Sequence, residues 1–314
     1  MKGNTVAITQ YPLIPPHELF FMNAAGWAKH REHVELLARV PDLTHIVVGS
    51  ITVKPREGNT GGTAFNVAHD GTSLNSLGLP NPGMAYYEDV LPEFVGLANE
   101  CGKKLVVSIA GFSTEEYVLL AKVVVGSGAD ACEVNLGCPN VFVAGEQKPI
   151  TSYDDALVQS ALLAVREVLE KTGVELWVKL SPEQNPIRRI QIATWLGAIV
   201  ADAAILTNTY PNVFLAEEDG SPLITVSNGI GGMAGTALKP IAMAMAQNIR
   251  PNVPKYTKLI GAGGVSVGAD VRDYVRDAGC SGVAVGTAFF QNENPRIFGE
   301  ILAEYADLFE AAQR

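Results

Sequence analysis

The chain has 314 residues, 47% of them hydrophobic, a formal net charge of −10 and a pI near 5.0. That length and apolar content suit one large α/β domain over residues 1–314, and the acidity argues against nucleic acid or an anionic membrane as a partner. Cys101, Cys132, Cys138 and Cys280 show neither metal-ligand spacing nor a disulfide framework, which fits a reducing cytoplasm, and residues 1–18 carry no apolar run that would make a signal peptide or anchor.

The periodicity predicts a first strand over Leu19–Met22, running into the small-residue corner Asn23-Ala24-Ala25-Gly26, and a helix over Lys29–Val40. A second strand follows at His45–Val48. Residues 51–87 then read as a long ordered loop, since uncommitted stretches of this length tend to be functional. A helix over Leu91–Asn99 is expected to hold Pro92 in its first turn. Strand three is Leu105–Ile109, followed by a helix capped at Ser113 with Glu116 three places on. Strand four, Cys132–Leu136, opens into a Gly-Cys-Pro turn at Cys138. Helix Asp154–Glu170, strand Leu176–Leu180, helix Arg189–Ile199 and strand Ala203–Leu206 come next. An irregular stretch leads to the glycine-rich run 229–235. Helix Leu238–Gln247, strand Lys258–Ile260, helix Asp270–Asp277, strand Gly282–Val285 and a helix from Pro295 to Ala311 complete the chain.

Eight apolar strands alternating with helices define an α/β chain of the (β/α)8 TIM barrel type, with inserted loops after strands two, four and six. An open doubly wound sheet is the competing architecture, but no early strand runs through Gly-x-Gly-x-x-Gly into a helix. A barrel gathers its strand C-termini on one face. Those ends carry Ala25, Ser50, Asn135, Cys138, Asn140, Lys179, Asn208 and Thr209, with Asn75 on the first long loop. All five histidines lie in the first quarter of the chain, so no metal site is expected. Gly263-Gly264 and Gly286-Thr287, after strands seven and eight, sit where barrels bind phosphate on bare N–H groups. The amides suit a ligand with alternating carbonyl and N–H groups. A phosphate-tailed flavin with a small cyclic imide or amide above it satisfies the whole set, Cys138 serving as acid/base with its pKa lowered by a neighbouring lysine. A buried structural Cys138 is the plainer alternative.

Asn135-Leu136-Gly137-Cys138-Pro139-Asn140, Asn75-Ser76-Leu77-Gly78-Leu79-Pro80-Asn81, Arg56-Glu57-Gly58-Asn59, Gly231-Gly232-Met233-Ala234-Gly235, Lys239-Pro240 and Gly263-Gly264 occur in that family's pattern along about residues 10–305: the chain resembles the dihydroorotate dehydrogenases, flavin-dependent barrels. The resemblance is to class 1, in which the cysteine is the base. It implies FMN contacts at Ala24, Ala25, Ser50, Asn75, Asn135, Lys179, Thr207, Gly235, Gly263, Gly264, Gly286 and Thr287. It implies pyrimidine contacts at Asn75, Leu77, Gly78, Leu79, Asn135, Asn140, Asn208 and Thr209. Cys138 would take the C5 proton of dihydroorotate and Lys179 would stabilise the reduced flavin. A homodimer and fumarate as second substrate are implied, with an electron-transfer partner subunit passing electrons to NAD as the other branch.

Two departures stand out. Class 1 members carry a lysine where this chain has Gly49, and Lys29, placed as in the quinone-linked class, is expected to supply that charge. Gly137 replaces the usual serine beside the cysteine. The loop Val141–Ser152 is expected to cover the site. Other readings are the same flavin chemistry on dihydrouracil, a non-redox barrel binding a phosphorylated metabolite, and a Schiff-base enzyme using Lys179.

Overall fold

A computed structural model describes residues 9–143 and 146–314. In chain order its strands and main helices are β1 (Phe20–Asn23), α1 (Arg31–Ala38), β2 (His45–Ile51), β3 (Phe65–Val67), β4 (Thr72–Asn75), α2 (Met84–Glu100), β5 (Lys104–Ile109), α3 (Thr114–Ser127), β6 (Ala131–Asn135), β7 (Phe142–Val143), β8 (Glu146–Gln147), α4 (Asp155–Leu169), β9 (Glu175–Leu180), α5 (Pro186–Ala198), β10 (Ala203–Leu206), β11 (Tyr210–Phe214), β12 (Ile230–Gly235), α6 (Lys239–Ile249), β13 (Lys258–Ala262), α7 (Gly268–Ala278), β14 (Gly282–Val285), α8 (Thr287–Phe290) and α9 (Arg296–Gln313). Eight of the strands close a parallel barrel in the order β1-β14-β13-β10-β9-β6-β5-β2.

The barrel strands are buried on both faces, which is why they read as near-continuous apolar runs. Their outward residues, such as Val48, Val107, Val134 and Val178, pack under the helices. Their inward residues, among them Met22, Val47, Val106, Trp177, Ile205 and Ile260, fill the barrel below its C-terminal mouth. His45 belongs to this lower plug: it stacks on Phe20 with ring centroids 4.9 Å apart, and burial pushes its pKa down to about 4. Among the described residues no helix is long and apolar enough to cross a membrane.

Three expectations need correction. The helix expected at Leu91 begins at Met84, behind Gly83 at φ 87°, so Pro92 lies in the helix interior. A proline there removes a hydrogen bond and costs about 3 kcal/mol, which burial of Tyr87, Leu91, Phe94, Val95 and Ala98 on one face offsets. Residues 51–87 are not loop throughout, for β3 and β4 lie within them. The glycine run 231–235 is likewise strand. These segments form a four-stranded antiparallel sheet, β11-β12-β4-β3, in which Gly232 pairs with Asn75 and Gly235 with Thr72. Leu74, Leu223 and Ile224 make its small core. The glycines are needed because a side chain at Gly231 would meet the Asn75 carbonyl carbon at 2.9 Å. This sheet joins the loops after β2 and β10 across the barrel mouth.

The Ser113 cap is present: its hydroxyl accepts from Glu116 N, and Glu116 reaches back to Phe112 N at 2.8 Å. The loop after β6 forms a β7–β8 hairpin that returns to the barrel through Ser152 N, which donates to Leu136 O at 2.8 Å.

Candidate active site

One cleft of about 1000 Å³ opens among the C-terminal ends of the barrel strands. Every site residue named from the sequence lines it: Ala24, Ala25 and Lys29 after β1, Ser50 on β2, Asn75 on β4 with Leu77, Gly78 and Leu79 after it, Asn135, Cys138 and Asn140 from β6, Lys179 on β9, Thr207, Asn208 and Thr209 after β10, Gly235 on β12, and Gly263, Gly264, Gly286 and Thr287 after β13 and β14. Residues as far apart in sequence as Ala24 and Thr287 meet here because all eight parallel strands point the same way.

The amides are held by one another. Asn135 Nδ2 donates to Ser50 Oγ at 2.7 Å, and Asn208 Nδ2 donates to Asn135 Oδ1 at 3.0 Å. Asn140 Nδ2 donates to Asn75 Oδ1 at 2.9 Å, while Asn75 Nδ2 donates to Gly232 O at 3.1 Å. With its NH2 so engaged, Asn140 keeps its carbonyl for a ligand. Two buried hydroxyls of the cleft, Thr207 Oγ1 and Thr209 Oγ1, have no hydrogen-bond partner among the described residues. A buried polar atom left unpaired costs about 1–3 kcal/mol, so these two are groups that a ligand would satisfy.

At the other end of the cleft, Gly264 has φ 66°, and a Cβ there would sit 2.8 Å from Lys239 Cβ and 2.9 Å from Gly235 O. Tyr274 Oη donates to Gly263 O at 2.8 Å and pins the turn. Lys239 beside it is committed to Asp270 at 2.6 Å and Asp273 at 2.7 Å. An anion in this corner would therefore rest on main-chain N–H groups and on the Thr287 hydroxyl, which lies 2.7 Å from Ser73 Oγ.

Three titratable groups face the middle of the cleft. Burial pushes the Cys138 thiol above its ordinary value of 9.0, opposed by the Asn140 N–H and the charges of Lys179, Lys29 and Arg56. The expected lowering by a lysine is thus outweighed by desolvation. Burial also pulls Lys29 down to about 7, with Cys138 opposing that fall and Lys179 adding to it. Lys29 lines the cleft, and its Nζ donates to the Ser50 main-chain oxygen at 3.3 Å. Gly137 is glycine because a Cβ would lie 2.9 Å from Asn208 Cβ and from Ser181 N. Phe65, Ser73, Pro80, Leu238 and Phe290 also line the cleft and were not foreseen. Ser73 and Phe65 lie on the short strands read as loop, and Phe290 follows the Gly286-Thr287 turn within α8.

A parallel barrel with an amide-rich, lysine-bearing cleft at its C-terminal mouth defines a (β/α)8 enzyme. The family model described as dihydroorotate dehydrogenase matches residues 17–309, so the chain belongs to the dihydroorotate dehydrogenase family of oxidoreductases. It is 31% identical over 290 residues, 92% of this chain and 89% of the relative, to the catalytic subunit of dihydroorotate dehydrogenase B (NAD(+)) of Alkaliphilus oremlandii. It is 32% identical over 288 residues, 91% of this chain and 88% of the relative, to a putative dihydroorotate dehydrogenase A (fumarate) of Streptococcus agalactiae. The crystal structure of the Eimeria tenella DHODH in complex with ferulenol has the same fold, with a TM-score of 0.75 at 22% identity, covering 94% of this chain and 82% of that one.

Proposed function

We propose that the protein oxidises dihydroorotate to orotate in pyrimidine biosynthesis, in the cytoplasm, with FMN as cofactor and Cys138 as base. The observation that carries this reading is the meeting of Cys138, Lys29 and Lys179 with the Thr207 and Thr209 hydroxyls, unpartnered among the described residues, in one cleft that ends in a glycine cradle. That cleft is long enough in chemistry for a planar ring system, a second small ring and a phosphate: acceptor and donor amides in its middle, bare N–H groups at its end. FMN would be held by Ser50, Asn135, Lys179, Thr207 and the turns at Gly263-Gly264 and Gly286-Thr287. When bound, it supplies the acceptor for the hydrogen that leaves C6 as hydride.

The residues of the chain do the rest. Cys138, as thiolate, takes the C5 proton. Asn75, Asn140, Asn208 and Thr209 orient the ring so that this proton faces the sulfur. Lys29 receives the substrate carboxylate, and Lys179 offers positive charge where negative charge develops, an interaction worth more in the transition state than before it. Fumarate is the proposed second substrate, and a homodimer is the proposed assembly. The branch in which a partner subunit carries electrons to NAD is favoured by an observation of its own, the equally close relative of that type.

The test is anaerobic mixing of purified, yellow protein with dihydroorotate while flavin absorbance is followed. Rapid bleaching, then recolouring on addition of fumarate to the isolated chain, is the expected result. A yellow protein that dihydroorotate does not bleach overturns the substrate. One that is bleached but not recoloured by fumarate overturns the acceptor.

A further inference from the structure

Glu133 lies inside the barrel, two residues before Asn135 on the same inward face of β6, and is 2% exposed. Ser108, its register partner on β5, donates from Oγ to Glu133 Oε1 at 2.7 Å. Ser108 Oγ in turn lies 2.7 Å from Ser50 Oγ, and Ser50 Oγ accepts from Asn135 Nδ2 at 2.7 Å. A continuous chain of hydrogen bonds thus runs from a buried carboxylate to two residues of the cleft.

Its direction follows from what each group can give. Ser108 has a single hydroxyl hydrogen, and it goes to Glu133 Oε1. The hydrogen between the two serines must then come from Ser50. At the other end the Gly137 N–H, which can only donate, lies 3.1 Å from Asn135 Oδ1 and fixes that amide with its NH2 toward Ser50. Both ends impose the same polarity. Ser50 is left with one free lone pair and Asn135 with one N–H that has no partner among the described residues, and both line the cleft.

We propose that Glu133, acting through Ser108, is a positioning residue that holds the Ser50 hydroxyl as an acceptor toward the cleft, so that Ser50 and Asn135 present an acceptor beside a donor. That pair is complementary to the edge of a cyclic amide, where a ring N–H adjoins a ring carbonyl. The inference rests on the reading of the cleft as a flavin and pyrimidine site, since both ligands are rings with such edges. Without an acceptor at Ser108, the Ser50 hydrogen is free to turn into the cleft. The site then offers two donors, and a ligand N–H is left facing one of them.

The experiment compares wild type with S108A, S108T and E133L. FMN release from the holoprotein is followed by equilibrium dialysis, and orotate binding by its perturbation of the flavin spectrum, with thermal melting as the measure of fold. We expect S108A and E133L, in which no side chain at 133 accepts the Ser108 hydrogen, to weaken the same ligand at least fivefold, and S108T, which keeps the hydroxyl, to stay within twofold of wild type. A purely structural role would lower the melting temperature of S108A and leave both dissociation constants of the folded protein in place, which overturns the proposal. So does an S108T as impaired as S108A. If E133L does not fold, the S108A and S108T pair decides alone. Wild type that retains FMN but binds no orotate sinks the substrate reading, and the chain of hydrogen bonds is still judged by FMN release.

Discussion

Lys29 Nζ donates to the Ser50 main-chain oxygen at 3.3 Å, across the gap between the loop after β1 and the end of β2. The neighbouring position, Gly49, has φ 110°, and a Cβ built on it would run into the Ser108 carbonyl group, whose carbon lies 3.2 Å away. The backbone at residue 49 therefore excludes any side chain, and the lysine on this side of the cleft, Lys29, comes from the loop after β1.

This relationship makes a substitution pair informative. Lys29→Met is expected to raise KM for dihydroorotate by roughly tenfold to a hundredfold, the cost of leaving a charged acceptor without its partner. Adding Gly49→Lys to it should not rescue KM and should lower the melting temperature, because the new side chain is strained against β5. Steady-state kinetics and thermal melting of the single and double variants check both statements. Recovery of KM in the double variant would show that the loop lysine is not tied to the geometry at Gly49.

The depressed pKa of Lys29, about 7, gives a pH dependence of definite sign. Below that value the free protein carries the cation and an anionic pyrimidine binds to a charged site; above it the site must first take up a proton. Orotate affinity is thus expected to fall as pH rises from 6 to 8, by up to about tenfold per unit above the pKa. Calorimetry in two buffers of different ionisation enthalpy should detect proton uptake at pH 8 and little at pH 6. An uncharged analogue such as dihydrouracil should show neither effect, and Lys29→Met should abolish both.

Gly264→Ala tests the phosphate corner. At φ 66° an alanine is strained by about 1–2 kcal/mol, and its methyl group would meet Lys239 Cβ at 2.8 Å. The turn must open, and the N–H groups that line it move. FMN is expected to dissociate at least tenfold more readily, with orotate binding to whatever holoprotein remains little changed. Flavin retention on gel filtration, followed by titration, separates the two.

Much of this site is legible in the sequence because its residues sit on short contiguous motifs at strand ends. The run from Asn135 to Asn140 places an amide, a thiol and a second amide within six positions, and the turns at Gly263 and Gly286 need only their glycines to be noticed. The β3–β4 and β11–β12 segments were not legible as strands. Their pairing joins residues such as Asn75 and Gly232, far apart in the chain, and glycine is a poor strand former until the partner that demands it is known. Ser108 and Glu133 were missed for another reason. Each is a single polar residue between apolar neighbours in its strand, and only the period-two spacing of Glu133 from Asn135 hints that both face the barrel interior.

Cys138 provides the sharpest test of the chemistry. Burial raises its thiol above 9.0 although two lysines face it, so the thiolate is a minority form at neutral pH. A base must be deprotonated to act, and the fraction of thiolate grows about tenfold per pH unit until the pKa is reached. The rate of flavin bleaching by dihydroorotate should therefore climb with pH and show no plateau below pH 9. Binding of an anionic pyrimidine opposes ionisation of the thiol, which moves the limb further toward alkaline pH. Cys138→Ser replaces the thiol by a much weaker acid of similar size, and is expected to slow bleaching by about 10²–10⁴-fold while leaving orotate binding within a fewfold of wild type. Stopped-flow bleaching from pH 6 to 10 on both proteins is the measurement. A wild-type rate already flat at pH 7 would mean that the group taking the C5 proton is not this buried thiol, whatever the serine variant does.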